Sequence, residues 1–222
     1  MPRCAVKTID PSIDLSAVLK MPEELPVSDL LAWNSQVLFS RILPLELEIG
    51  SGKGLFINRA SVQNPNHNFL GIEISKKYAR LCAARLQSPP RSNAVMVCGD
   101  AFLVLKNHIP AGFLAAVHVY FPDPWWKRAH RKRRILRPEV LQLIENRLAS
   151  GGSLHFRTDV EEYFLSTLDL LKQYTPLQGP FEIIEPETKN DSDYRTHFER
   201  RTRLHGKPVF IAEFRKISAI NV

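Results

Sequence analysis

Leu45-Glu46-Leu47-Glu48-Ile49 runs directly into Gly50-Ser51-Gly52-Lys53-Gly54, and this junction decides the fold. The first five residues read as a strand, and the glycines after them sit at alternate positions. Glycine reaches positive φ without a Cβ penalty, so the stretch is a tight turn that a ligand can approach closely. A helical pattern at about Leu55–Gln63 completes a strand–turn–helix unit. The alternation then repeats. Strands are expected at Phe69–Glu73, Ala94–Cys98, Leu114–Phe121 and Ser153–Arg157. Helices are expected at about Lys76–Leu86, Phe102–Lys106, Pro138–Leu148 and Val160–Tyr174. Pro138 suits a first helical turn, and Gly151–Gly152 reads as the end of that helix. The spacing predicts an α/β fold: a Rossmann-like, doubly wound, mostly parallel sheet with helices on both faces. Phe181–Glu185 and Pro208–Arg215 read as late strands without a helix between them, an antiparallel hairpin at one edge.

The 222 residues, 44% of them hydrophobic and 24% charged, suffice for one sizeable core. Residues 1–40, punctuated by Pro2, Pro11, Pro22 and Pro26, read as an extension of unknown role; 41–222 form the main domain. No apolar run approaches the roughly 18 residues that span a bilayer, and the start lacks the pattern of a signal peptide. Cys4, Cys82 and Cys98 form no CxxC pair and fit reduced thiols in a cytoplasmic protein. The seven histidines show no metal-ligand spacing, so no metal is expected.

The charge is concentrated. The formal net charge is +7, and Lys127–Arg137 (KRAHRKRRILR) holds seven basic residues and no acid. Without that segment the chain carries 23 basic and 23 acidic residues. A neutral protein with one basic patch suits an anionic partner, nucleic acid first. The plainer alternatives are a solvated helix face or a targeting signal. Under the nucleic-acid reading, Arg131, Lys132, Arg133 and Arg134 are expected to make about three phosphate contacts between them.

Ligands of such sheets bind beyond the carboxyl ends of the strands, and these ends carry the chemistry. The turn at 50–54 is not a phosphate loop of the Walker type: Gly54 rather than Ser or Thr follows Lys53. Its GxGxG spacing also departs from the dinucleotide fingerprint GxGxxG. What remains is the ExGxGxG loop of S-adenosylmethionine (SAM) methyltransferases, with Glu48 suited to the cofactor's ammonium group and Gly50 and Gly52 giving room to its tail and ribose. Glu73, 21 residues after Gly52, is placed to accept from ribose hydroxyls. Asp100, in Gly99-Asp100-Ala101, is placed to accept from the adenine amine. Beyond the fourth strand, Phe121-Pro122-Asp123-Pro124-Trp125-Trp126 fixes an acid between two prolines, beside aromatic surface suited to a flat base. Arg157-Thr158-Asp159 follows the fifth.

With these motifs in place, the sequence resembles the bacterial, single-chain tRNA (guanine-N7-)-methyltransferases from about Leu45 to Arg215. The resemblance rests on LELEIGSGKG (45–54), GIE (71–73), GDA (99–101), FPDPWWKRAHRKRR (121–134), GGSLHFRTD (151–159), DYRTHFERR (193–201) and GKPVFIAEF (206–214). The 121–134 stretch is the specific one. The resemblance implies transfer of a methyl group from SAM to N7 of a variable-loop guanosine in tRNA. It implies SAM contacts at Glu48, Gly50, Gly52, Glu73 and Asp100, and an active-site Asp123 close to both cofactor and base. It implies substrate contacts at Lys127, Asp159 and the Thr196–Glu199 stretch, with Arg131 and Arg133 of the basic run beside them. It also implies action without an obligatory partner protein, as a monomer or homodimer. A methyltransferase for small molecules or proteins would not need the basic run. An RNA-binding module without catalysis would not need Glu48, Glu73, Asp100 and Asp123 together.

Overall fold

The computed structural model describes residues 13–34, 38–183 and 194–217. Eight strands form one sheet: β1 (Leu19–Lys20), β2 (Leu45–Ile49), β3 (Asn68–Glu73), β4 (Ala94–Cys98), β5 (Leu114–Tyr120), β6 (Leu148–Thr158), β7 (Gln178–Phe181) and β8 (Phe210–Arg215), in spatial order β1-β4-β3-β2-β5-β6-β8-β7. The first six strands are mutually parallel, and β8 runs antiparallel to both β6 and β7. The strand order reverses at β2, which lies between β3 and β5, so the glycine turn sits at the switch point.

Helices α2 (Leu55–Gln63) and α3 (Lys76–Leu86) cover one face of the sheet. There Phe56, Ile57, Cys82 and Leu86 pack against Phe69, Met96 and Tyr120. Helices α4 (Ala101–Asn107), α5 (Pro138–Arg147) and α6 (Glu161–Tyr174) cover the other, through Val104, Ile144 and Tyr163 packed on Leu47, Val117 and Phe156. Burial on both sides is why β3 and β4 read as continuous apolar runs: every residue of each is buried.

Four boundaries differ from the sequence reading. The segment ahead of residue 41 contributes β1, which pairs with Met96 and Val97, and buries Leu15, Val18, Trp33 and Phe39 in the cores. A short helix α1 (Leu30–Trp33) lies within it. Gly151 and Gly152 do not end α5, because β6 begins at Leu148, directly after the helix. A Cβ on Gly152 would come within 2.9 Å of the Leu114 carbonyl oxygen, so the glycine permits a close strand crossing. The strand expected at Phe181–Glu185 is instead Gln178–Phe181; Ile184 and Glu185 lie outside the described residues. A helix α7 (His197–Leu204) intervenes between the last two strands, where none was expected. It carries only Phe198 and Leu204 as large apolar residues and buries Glu199 and Thr202, so it has no apolar stripe to announce it.

The tightest glycine is Gly54, whose φ is +72° and whose Cβ would lie 2.1 Å from Cys82 Sγ. It lets α2 start against α3. Left-handed strain plus overpacking puts the cost of Gly54→Ala at about 2–5 kcal/mol. Urea denaturation should show that loss, and adding Cys82→Ala should restore part of it.

Candidate active site

A cleft of about 340 Å³ opens beyond the carboxyl ends of β2 and β5, lined by Glu48, Gly50, Gly52 and Lys53 on one side and by Thr196, Phe198 and Arg201 on the other. Tyr120 and Phe121 form part of it as well. Four of the sequence-predicted site residues, Glu48, Gly50, Gly52 and Thr196, therefore meet here. Glu73 joins them one step back: the Gly52 N–H donates to Glu73 Oε2 and the Ser75 N–H to Oε1, each at 2.8 Å. This carboxylate ties the ends of β2 and β3 together and holds the glycine turn in shape.

Glu48 is 4% exposed, and its Oε2 has no hydrogen-bond partner among the described residues. Burial pushes its pKa to about 7, and the neighbouring charge of Glu73 acts in the same direction. A buried acceptor without a donor is costly and marks a place for a cationic or donor group.

The turn after β5 is strained. Phe121 and Trp125 have φ of 49° and 46°, a region that bulky residues rarely enter. Each costs of order 1–2 kcal/mol, so neighbours must hold them. The Phe121 N–H donates to the Arg157 carbonyl at 2.8 Å, and the Phe121 ring lies 5.1 Å from that of Phe198. Arg134 Nε donates to the Pro124 carbonyl at 2.8 Å, and the Arg133 guanidinium sits 5.1 Å over the Trp125 ring. Asp123 is thereby fixed and exposed at the tip, two residues beyond the cleft-lining Phe121.

The other predicted residues lie outside the cleft lining. Asp100 caps α4, its Oδ1 accepting from the Phe102 N–H at 2.8 Å, at the carboxyl end of β4. Asp159 is half-buried after β6; Lys127, Arg131 and Arg133 are exposed. Glu199 is buried: Oε1 accepts from Arg157 Nη1 at 3.1 Å and from Arg203 Nε at 3.2 Å, and Oε2 from the Arg195 N–H at 2.9 Å. Thr196 Oγ1 accepts from the Glu199 N–H, which starts α7.

The basic run forms a 3₁₀ helix at Arg128–Arg133, and its charges are not equivalent. Arg134 is 6% exposed and bonds Glu162 at 2.6 Å besides holding Pro124, so it is removed from the expected phosphate contacts. Its charge is spent inside the protein, pinning the strained turn to α6. Sequence reading missed Tyr120, Phe121 and Arg201 in the cleft, while Phe198 falls within the expected Thr196–Glu199 stretch.

Residues 43–212 match a protein-family model described as "Putative methyltransferase". A tRNA (guanine-N(7)-)-methyltransferase from Rhodopirellula baltica is 47% identical over 98% of this chain and 81% of its own. The chain belongs to that family. A methyltransferase of the same name from Pectobacterium atrosepticum is 35% identical over 81% of this chain and 75% of its own. Among solved structures, the 16S rRNA methyltransferase KamB superposes with a TM-score of 0.61 at 15% identity, over 87% of this chain and 99% of that one. A 16S rRNA (adenine(1408)-N(1))-methyltransferase from Catenulisporales acidiphilia, solved with SAM, gives 0.55 at 16% identity, over 81% and 88%. The fold is that of the class I SAM-dependent methyltransferases, and the chain is a methyltransferase of that kind.

The residues present fit this cofactor. An ammonium group such as the cofactor's would supply the donors that Glu48 Oε2 lacks, and the turn leaves open space at Gly50 and Gly52. In the ligand-free methyltransferase the raised Glu48 pKa has a consequence of definite sign. A carboxyl whose folded pKa exceeds its unfolded value stabilises the fold below about pH 4.5, and that stability is lost as pH rises through about 7. Wild type should therefore lose on the order of 3 kcal/mol between pH 4 and 8 that Glu48→Gln retains. Urea denaturation of both proteins across that range measures it, and parallel curves would refute it.

Proposed function

We propose that the protein transfers a methyl group from SAM to N7 of a variable-loop guanosine in tRNA. The observation that carries this is the strained turn that holds Asp123 beside a cleft whose buried Glu48 awaits a cationic group. In this reading Glu48, Gly50, Gly52, Glu73 and Asp100 hold the cofactor. Lys127, Arg131, Arg133, Asp159 and Thr196 serve the RNA, and Glu199 acts from behind by keeping α7 in place. The methyltransferase domain is residues 41–222, with β1 ahead of it closing the β4 edge. The enzyme works in the cytoplasm as a monomer or homodimer, without an obligatory partner protein.

Bound SAM supplies a methyl group activated by a sulfonium. Guanine N7 carries no proton and has an in-plane lone pair, so the chain needs no strong base. Its work is alignment and charge. N7 lies on the major-groove edge, so the base must leave the tRNA stack to reach the cleft. Asp123 can accept from the N1–H and amino group of guanine and stabilise the positive charge that develops on the ring. Lys127, exposed four residues on, can donate to O6. The prolines on either side of Asp123 and the grip of Arg134 on Pro124 reduce the entropy lost in aligning the base.

Incubation with labelled SAM and total tRNA, followed by cleavage at N7-methylguanosine, should map the label to the variable loop. Label at another position would overturn the assignment. Asp123→Asn should lower the single-turnover rate by at least tenfold while changing tRNA affinity less than threefold. An unchanged rate would remove Asp123 from the chemistry.

The exposed cations Arg131, Lys132 and Arg133 should account for about two phosphate contacts, each worth about 0.7–0.9 in the slope of log affinity against log salt. Changing all three to Gln should flatten that slope by roughly 1.4–1.8. A solvated surface helix would leave it unchanged. Arg134→Gln, by contrast, should lower the unfolding free energy by about 1–3 kcal/mol, because Pro124 and Tyr163 lose their partner.

A further inference from the structure

One face of the sheet below the cleft carries, besides Glu48, polar groups that the chemistry outlined above leaves unused. Glu46 and Glu48 on β2, His118 and Tyr120 on β5, and His155 on β6 share that face by register and alternation. Four groups form a continuous hydrogen-bonded row. Tyr120 Oη lies 2.8 Å from His118 Nδ1, His118 Nε2 lies 2.7 Å from Glu46 Oε2, and Glu46 Oε1 lies 2.6 Å from His67 Nδ1. The row leads from Tyr120, in the cleft, to His67, at the opposite end of the sheet. Packing holds each ring: His155 stacks on His118 at 4.8 Å, and Phe56 meets His118 at 4.6 Å and Tyr120 at 4.9 Å.

The row has a direction. A carboxylate only accepts, and Glu46 accepts from two imidazoles. Burial alone would raise its pKa, but the bonds from His118 and His67 outweigh burial and hold it below the ordinary range. His118 therefore presents Nε2–H to Glu46. Burial also lowers the His118 pKa, so the ring is neutral and its Nδ1 has a lone pair and no proton. Nδ1 can only accept, so the Tyr120 O–H points to it and away from the cleft. The oxygen of this cleft-lining residue is left with lone pairs and no proton to donate elsewhere.

We propose that Tyr120 Oη is a fixed acceptor for the polarised C–H groups of the cofactor's sulfonium methyl, and that Glu46 and His118 are positioning residues that hold it so. The proposal rests on the SAM reading of the cleft and deepens it. Two arguments select the methyl over the ammonium. Glu48, with its unpartnered buried oxygen, is the better partner for the full charge, and Tyr120 directly precedes the turn that carries Asp123 toward the base. The acceptor beside an activated methyl must also not be a nucleophile. Burial raises the Tyr120 pKa far above its usual value, and its proton is committed to His118, so no phenolate forms to compete for the methyl. Weak C–H···O bonds of this kind suffice to orient a group without blocking its departure.

The test compares SAM with S-adenosylhomocysteine, which lacks the methyl and the sulfonium charge. Tyr120→Phe should weaken SAM about three- to tenfold and leave S-adenosylhomocysteine within twofold; equal loss for both ligands would overturn the proposal. Glu46→Gln, which removes the ionised acceptor that sets the direction, should reproduce part of the change in that ratio with Tyr120 intact. An unchanged ratio in Glu46→Gln would refute the positioning roles. In wild type, SAM carrying a ¹³C-methyl group should show its methyl proton resonance shifted downfield on binding, and this shift should vanish in Tyr120→Phe. Binding of SAM by wild type without that shift also overturns the proposal, whether or not the variants fold. Failure of wild type to bind SAM at all would instead sink the cofactor reading on which it rests.

Discussion

The ion pair between Arg157 and Glu199 gives the cleft its second wall. Both side chains are about 3% exposed, and the pair joins the end of β6 to the first turn of α7. Arg203 also donates to Oε1 and the Arg195 N–H to Oε2, so each carboxylate oxygen has a donor. Burying two charges gains little net stability against an apolar alternative, but removing one partner typically costs about 3–5 kcal/mol. The pair therefore acts chiefly as a register device: α7 has almost no apolar face, and this bond specifies where it docks. Thr196, Phe198 and Arg201 reach the cleft only because α7 docks there.

The same arginine also serves the other side of the site. Its carbonyl receives the Phe121 N–H, and its guanidinium lies 5.7 Å from the Tyr120 ring. Cleft floor, strained turn and helical wall thus share one anchor at the carboxyl end of β6. Strain in the turn persists because several independent bonds oppose its release. Arg134, itself paired with Glu162 of α6, holds it on one side and Arg157 of β6 on the other, and the rings of Phe121 and Trp125 are each gripped by a neighbour.

What could be read from the sequence divides along physical lines. Strands β3, β4 and β5 announce themselves as largely apolar runs because both faces of the sheet are covered, and the acids that follow them are conspicuous because charge interrupts such runs. Helix α7 escaped because its docking is ionic: a search for apolar periodicity has nothing to find in HFERRTRL. The signal present was local, Thr196 three residues before Glu199, the pattern of a helix start. The Glu46–His118 bond spans 72 positions, and no spacing rule reaches that far. The histidines show no metal spacing, but their role as directed hydrogen-bond carriers needed the strand register. Arg134 was legible as a charge and not as a pin, because composition counts cations without saying which of them face water.

The sheet's two ends have a bearing on how the protein behaves among other chains. An open strand edge is a template for another strand, and this sheet has two. At one end the covering strand, β1, is only two residues long, too short a ladder for a neighbour to extend. At the other, β7 carries Pro180, which offers no N–H, and its four residues are all exposed. Among the described residues, an eight-stranded sheet with an apolar interior thereby presents little backbone ladder to which a second copy could add a strand.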